Sequence, residues 1–146
     1  MNKIVKELIL FLIGGCLYVG IELLFRGRSH WSMALVGGLC FVLIGGLNNW
    51  FPWCWSILRQ MAISAGIVTA IEFLSGIVLN LILKLNVWDY SNMPFNVLGQ
   101  ICLPFTAAWF ALSFVAIALD DFLRHVLFGE QVPEYHLFTL EGSHGK

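Results

Sequence analysis

A chain of 146 residues that is 59% hydrophobic and only 12% charged, with a mean hydropathy of +0.83, is too apolar for an ordinary water-soluble domain. Its formal charge of -1 and the lack of any Lys/Arg run exclude nucleic acid as a partner, because phosphate binding needs clustered cations. The four cysteines, Cys16, Cys40, Cys54 and Cys102, stand singly with no CxxC pair and no Cys/His spacing suited to zinc, so free thiols buried in apolar surroundings are expected.

A hydrocarbon core about 30 Å thick is crossed by about 20 helical residues, so this length allows several spans and little else. The first is Ile4 to Phe25, closed by the polar "RGRSH". "IGGC" at Ile13 to Cys16 imitates a lipoprotein cleavage site, but the apolar run continues past it, which favours an uncleaved span. Met33 to about Phe51 is the second, with Gly37/Gly38 and Gly45/Gly46 permitting close backbone approach. Asn48 and Asn49 end its most apolar part early, so a re-entrant or short helix is the alternative there.

"WFPWCW", Trp50 to Trp55, is rich in indoles and marks a membrane–water interface. A third span is predicted from about Gln60 to Leu83 and a fourth from about Asn96 to Leu119, with Pro104 as a kink. Lys3, Lys6, Arg59 and Arg124 would lie on the terminal side and Arg26, Arg28 and Lys84 on the other, a slight bias toward cytoplasmic termini, with a dual orientation as the alternative. After Leu119 an apolar stripe runs against Asp120, Asp121, Arg124 and His125, predicting a short amphipathic extension at the interface. The fold expected is an all-α membrane bundle of about four transmembrane helices. One membrane domain covers residues 1-128, and a polar, loosely ordered tail covers 129-146.

"YVGIELL" around Glu22 answers "VTAIEFL" around Glu72, fifty residues on. Each acid lies toward the end of an odd-numbered span, Glu72 well inside it, and is followed by a Trp-containing loop. Two similar hairpins follow, about 4-51 and 60-119, parallel because each has an even number of crossings. An ionised carboxylate at the centre of the bilayer costs about 2.5–3.5 kcal/mol on insertion scales, so each should face inward and find a partner. For Glu22 that partner is Arg26, one turn later, as a helix-end ion pair. Glu72 has no cation one turn away, and Ala62, Gly66 and Ala70 form a small-residue row beside its face. It is read as pointing into a helix interface, either carrying its proton or hydrogen-bonded by a neighbour. A structural anchor and a proton- or substrate-binding role are both open.

"KLNVWDYSNMPFNVLGQ" follows that span, with Ser91 or Asn92 as helix caps, Pro94 near the first turn, and Asn96, Gly99 and Gln100 entering the bilayer. We expect a polar network of Glu72, Asn80, Trp88, Asp89, Tyr90, Asn96 and Gln100, with Gly66, Gly76 and Gly99 serving helix packing. "IEFLSGIVLN", "VWDYSNMPFNVLGQICL" and Trp109 together resemble the bacterial "Putative ABC-transporter type IV" permease family, which also has vertebrate multi-pass relatives. The resemblance is strong from Gly66 to Trp109 and looser over the first hairpin. It implies a multi-pass protein of the cell membrane, a bacterial plasma membrane.

Without a GxxxxGK[ST] loop this chain cannot energise transport by itself, so a separate ATPase or other membrane subunit is expected as partner, alongside the lipid bilayer. Four spans are few for a permease, which points to a homo-oligomer. The alternative is a structural or regulatory membrane protein whose polar network only fixes helix packing. An enzyme is disfavoured: no HExxH or GxSxG occurs, His30, His125, His136 and His144 lie outside the predicted spans, and Asp89 with Glu72 is a bare carboxylate pair. No catalytic residue, metal or cofactor is assigned.

Overall fold

The structure, a computed structural model, describes residues 1–51 and 55–138. Its four long helices are α1 (Lys3–Arg26), α2 (Trp31–Trp50), α3 (Ile57–Gly76) and α4 (Leu103–Phe128). Each is long and apolar enough to cross a bilayer when α3 is taken with its continuation to Ile82. The second helix is a full 20 residues, not a short re-entrant segment.

Local chemistry sets the ends. The Asn2 side chain accepts from Ile4 N, His30 Nδ1 from Ser32 N and Ser56 Oγ from Arg59 N, satisfying amides that the first turn leaves free. Gly27 and Gly129 stop α1 and α4 in the left-handed conformation, at φ 68° in each case. Pro104 lies in the first turn of α4, where its missing N–H costs nothing, and not at a kink. Beyond Gly76 the third helix widens into a π-helical stretch, Ile77–Ile82. There Leu83 N reaches back to Val78 O and Leu85 N to Leu79 O.

Antiparallel up-and-down packing follows from the contacts at each end. Arg26, at the end of α1, meets Tyr90 of the long loop. At the other end Lys6 and Glu7 meet Glu130 and Arg124. The tightest pairing is α1 with α2: a Cβ on Gly15 would fall 2.5 Å from Ala34 O, and one on Gly38 2.5 Å from Phe11 O. Only glycine lets these backbones touch. One apolar core joins Ile44, Ile57, Met61, Val68 and Ile117; a second, beneath the loop, joins Met33, Trp88, Tyr90 and Cys102.

Several expectations change. The fourth helix begins at Leu103, not Asn96; Asn96–Val97 (β1) and Ile101–Cys102 (β2) instead form a minimal antiparallel hairpin. Its turn has positive φ at both Leu98 (53°) and Gly99 (70°), as in a type I′ turn, so the backbone there cannot be a helix start. Ser91, Asn92 and Pro94 accordingly lie in the loop and cap nothing.

The amphipathic stretch after Leu119 is the unbroken end of α4, with its faces reversed from the expectation. Asp120, Asp121 and Arg124 are buried, while Phe122 and Val126 are 58% and 59% exposed, toward where lipid would be. The charges turn inward because they find one another there, which water would otherwise have to supply. His125 therefore belongs to the helix. The tail is not loose as far as Phe138: His136 O accepts from Ile57 N at 2.6 Å, and Tyr135 donates to Asp121. Its remainder, with "EGSHGK" and His144, lies outside the described residues, as do Pro52 to Cys54 of the Trp-rich turn.

Gly66 also departs from expectation. It stands exposed with open space where a Cβ would be, so among the described residues it packs against no helix. Of the cysteines described, all free, Cys102 is buried, Cys40 half-buried and Cys16 exposed.

Candidate functional site

Glu72 lies on the inner face of α3, 5% exposed, and both of its oxygens are engaged. The Tyr90 hydroxyl donates to Oε1 at 2.8 Å, and the Trp109 indole N–H donates to Oε2 at 3.1 Å. Tyr90 arrives from the loop and Trp109 from α4, so three parts of the chain converge on one carboxylate.

The same hydroxyl accepts a hydrogen bond from Arg26 Nη2 at 3.0 Å. Arg26 in turn lies 3.8 Å from Glu22 Oε2. The two acids fifty residues apart thus belong to one chain of contacts, Glu22–Arg26–Tyr90–Glu72. Its wall is aromatic: Tyr90 stacks on Phe105 with centroids 4.6 Å apart, and the Arg26 guanidinium lies over both rings, at 5.7 and 5.9 Å. Burial and the adjacent Glu72 carboxylate push the Tyr90 phenol above its ordinary range, so it stays a donor.

A second set of predicted residues meets one layer outward. Asn80 Nδ2 donates to Gln100 Oε1 at 2.9 Å, Asn80 Oδ1 accepts from Val87 N at 2.7 Å, and the Trp88 indole donates to Gln100 O at 2.9 Å. The π-helical turn carries Asn80, and Gly76 gives Gln100 its place: a Cβ there would sit 2.5 Å from Gln100 Oε1. This layer pins the loop to α3 and leaves Tyr90 aimed at Glu72.

Asp89 and Asn96 do not join either set. Asp89 is exposed and accepts from Ser91 N at 2.9 Å and from the Ser91 hydroxyl, which holds its carboxyl below the usual range. Asn96 ties Met93 O, Ser91 O and Gly99 N together within the loop. Both shape the turn around Gly99. The loop is also strained, with positive φ at Lys84, Phe95 and Leu98, side chains that rarely adopt it, and at Asn86, which tolerates it better.

Behind Glu72 a crevice of about 150 Å³ runs between α1, α2 and α4, lined almost wholly by apolar atoms. Glu72, Tyr18, Trp109, Ser113 and Leu119 are among its lining residues, and the Tyr18 and Trp109 rings stack with centroids 6.0 Å apart.

The opposite end of the bundle holds a cluster absent from the sequence reading. Arg124 grips Glu7 with both Nη atoms, at 3.0 and 2.9 Å, and Asp120 through Nε at 2.6 Å. Asp120 is 0% exposed and occupies the space Gly45 lacks a side chain to fill; a Cβ there would be 2.1 Å from its Cγ. Asn48 Nδ2 donates to Asp121 at 2.7 Å. The visible signal was the glycine pair of α2 facing acids of α4.

No curated protein and no solved structure matches the chain. A family model described as "Putative ABC-transporter type IV" matches residues 9–135, which takes in Glu22, Glu72, the loop and the acids and Arg124 of α4 but not Glu7, and by that match the chain belongs to this family of ABC-transporter-related membrane proteins.

Proposed function

We propose that this chain is a permease-like transport subunit, in which the Glu22–Arg26–Tyr90–Glu72 centre binds the transported species or a coupling proton. One observation carries the reading: Glu72 is an intramembrane carboxylate held on two neutral donors, Tyr90 and Trp109, and bordered by a crevice. None of the ion pairs among the described residues reaches it. A purely structural acid would be expected to sit on Arg26 directly, as Glu22 does.

Residues 1-128 act as one membrane unit of two related hairpins, a parallel duplication that sets its two acids on the same level of the bundle. Energy comes from a separate ATPase or from an ion gradient, and a working pathway is completed by a second copy or another membrane subunit. The setting is the plasma membrane of a bacterium.

A second reading is favoured by the Asn80–Gln100–Trp88 layer, whose bonds are mutually satisfied and which fixes a loop without serving a crevice. In it the protein is structural or regulatory. Liposomes holding a pH-sensitive dye and, separately, labelled solutes separate the two. Transport through this centre requires flux that Glu72→Gln removes at unchanged folding; flux unchanged by the substitution rules out Glu72 as its carboxylate, and no flux above that of empty liposomes leaves the structural reading.

A further inference from the structure

The crevice is open sideways. α1 packs chiefly on α2 and only lightly on α4. Between them the mouth is lined by Leu17, Ile21, Leu112 and Val115, all between 42% and 57% exposed, so it faces the acyl phase and not the water on either side. A cavity of about 150 Å³ with apolar walls has the capacity of a single aromatic ring; engineered apolar cavities of about that size take up benzene.

Charge selects among apolar occupants. Glu22 has Arg26 as its counter-ion at 3.8 Å. Glu72 borders the crevice and has only Tyr90 and Trp109 as donors. Two carboxylates thus share one guanidinium, so the slot carries a net negative charge beside Glu72 whenever both acids are ionised. Tyr18 and Trp109, stacked on each other, also line the crevice, and aromatic rings attract cations through their electron-rich faces.

We infer that the crevice between α1 and α4 is a binding site for a small amphipathic organic cation, an aryl or alkyl body with an ammonium group, entering from the bilayer with its charge toward Glu72. The inference rests on the transport reading and gives the class of its substrate. An uncharged lipid tail would fill the same walls but leave Glu72 without a counter-charge.

The test is isothermal titration of the full chain in lipid nanodiscs with benzyltrimethylammonium, empty nanodiscs being subtracted, and with its uncharged isostere neopentylbenzene. The cation should bind at least tenfold more tightly than the isostere. Glu72→Gln should remove that preference. Leu112→Trp, which fills the mouth and touches none of the hydrogen bonds at Glu72, should weaken both ligands at least tenfold while leaving the melting temperature near wild type. Equal affinity for the two compounds, or wild-type cation binding in Leu112→Trp, overturns the inference. Proton flux is scored in parallel: a wild-type flux lost in Glu72→Gln, with no cation binding, sinks the crevice site and leaves the transport reading standing.

Discussion

Tyr90 donates its only hydroxyl proton to Glu72 at 2.8 Å, and because Arg26 occupies a lone pair of the same oxygen at 3.0 Å, that proton has one direction to point. Tyr90→Phe removes both bonds at once. It should lower stability by about 1.5–3 kcal/mol, the range for a hydrogen bond to a charged group. Chemical denaturation in detergent, followed by circular dichroism, measures it. In a double-mutant cycle with Glu72→Gln the losses should fall well short of additive; full additivity would mean that the two side chains do not interact.

The same phenol gives a pH dependence of known sign. Burial and Glu72 raise the folded value above the ordinary tyrosine value of about 10. A group that holds its proton more tightly in the fold contributes stability that is complete below the unfolded value and is lost as pH rises through the folded one. The stability gap between wild type and Tyr90→Phe should therefore be constant from neutral pH to about 10 and shrink above it. Thermal melts across pH 8 to 12 would show this, and a gap that widens above pH 10 would contradict it.

Gly76 and Gln100 make a second pair. An alanine at Gly76 would put its Cβ 2.5 Å from Gln100 Oε1 and 2.9 Å from Gln100 Cβ. Gly76→Ala should cost about 1–3 kcal/mol through overpacking, despite alanine's better helix propensity. Adding Gln100→Ala should recover part of that loss, although Gln100→Ala alone destabilises by leaving Asn80 short of an acceptor. Denaturation midpoints of the two single variants and the double variant decide it.

The spans were legible because lipid leaves a signal twenty residues long, and the inward direction of Glu72 followed from the cost of a charge in hydrocarbon. Arg26 was visible as the partner of Glu22, but its contact with Tyr90, sixty-four residues away, is a product of packing that spacing along one helix does not encode. Asn96 misled for a local reason: its side chain satisfies loop amides and carbonyls as well as it would a helix start, and Gly99 at φ 70° tipped the choice. The end of α4 misled for a global one. A stripe of Asp and Arg beside a stripe of Phe and Val reads as water against membrane, and it takes distant partners such as Glu7, Gly45 and Asn48, on other helices, to reveal that the charged side is the inside.

That inverted face makes Arg124 the least replaceable cation in the bundle. It serves Glu7 twice and Asp120 once, and Asp120 is fully buried. Arg124→Leu should destabilise by about 3–5 kcal/mol, because it strands a buried carboxylate. Arg124→Lys keeps the charge but not the fork, so it should recover only part of the loss. Yield of folded protein and the melting temperature report both, and a lysine variant equal to wild type would show that the charge alone suffices.

Gly66 tests whether the bundle is complete in one copy. It sits in the middle of α3 with nothing near the position a Cβ would take, and Ala62 and Ala70 beside it are likewise exposed. In an isolated chain Gly66→Ala should gain about 0.5–1 kcal/mol, since glycine is the poorer helix former and alanine meets no obstacle. If a second copy lays a helix against this row, as the proposed oligomer allows, the added methyl meets backbone and the gain turns into a loss that grows with protein concentration. Melting temperature measured over a tenfold range of protein-to-detergent ratio separates the outcomes: a concentration-independent gain assigns the row to lipid, and a concentration-dependent loss assigns it to a partner helix.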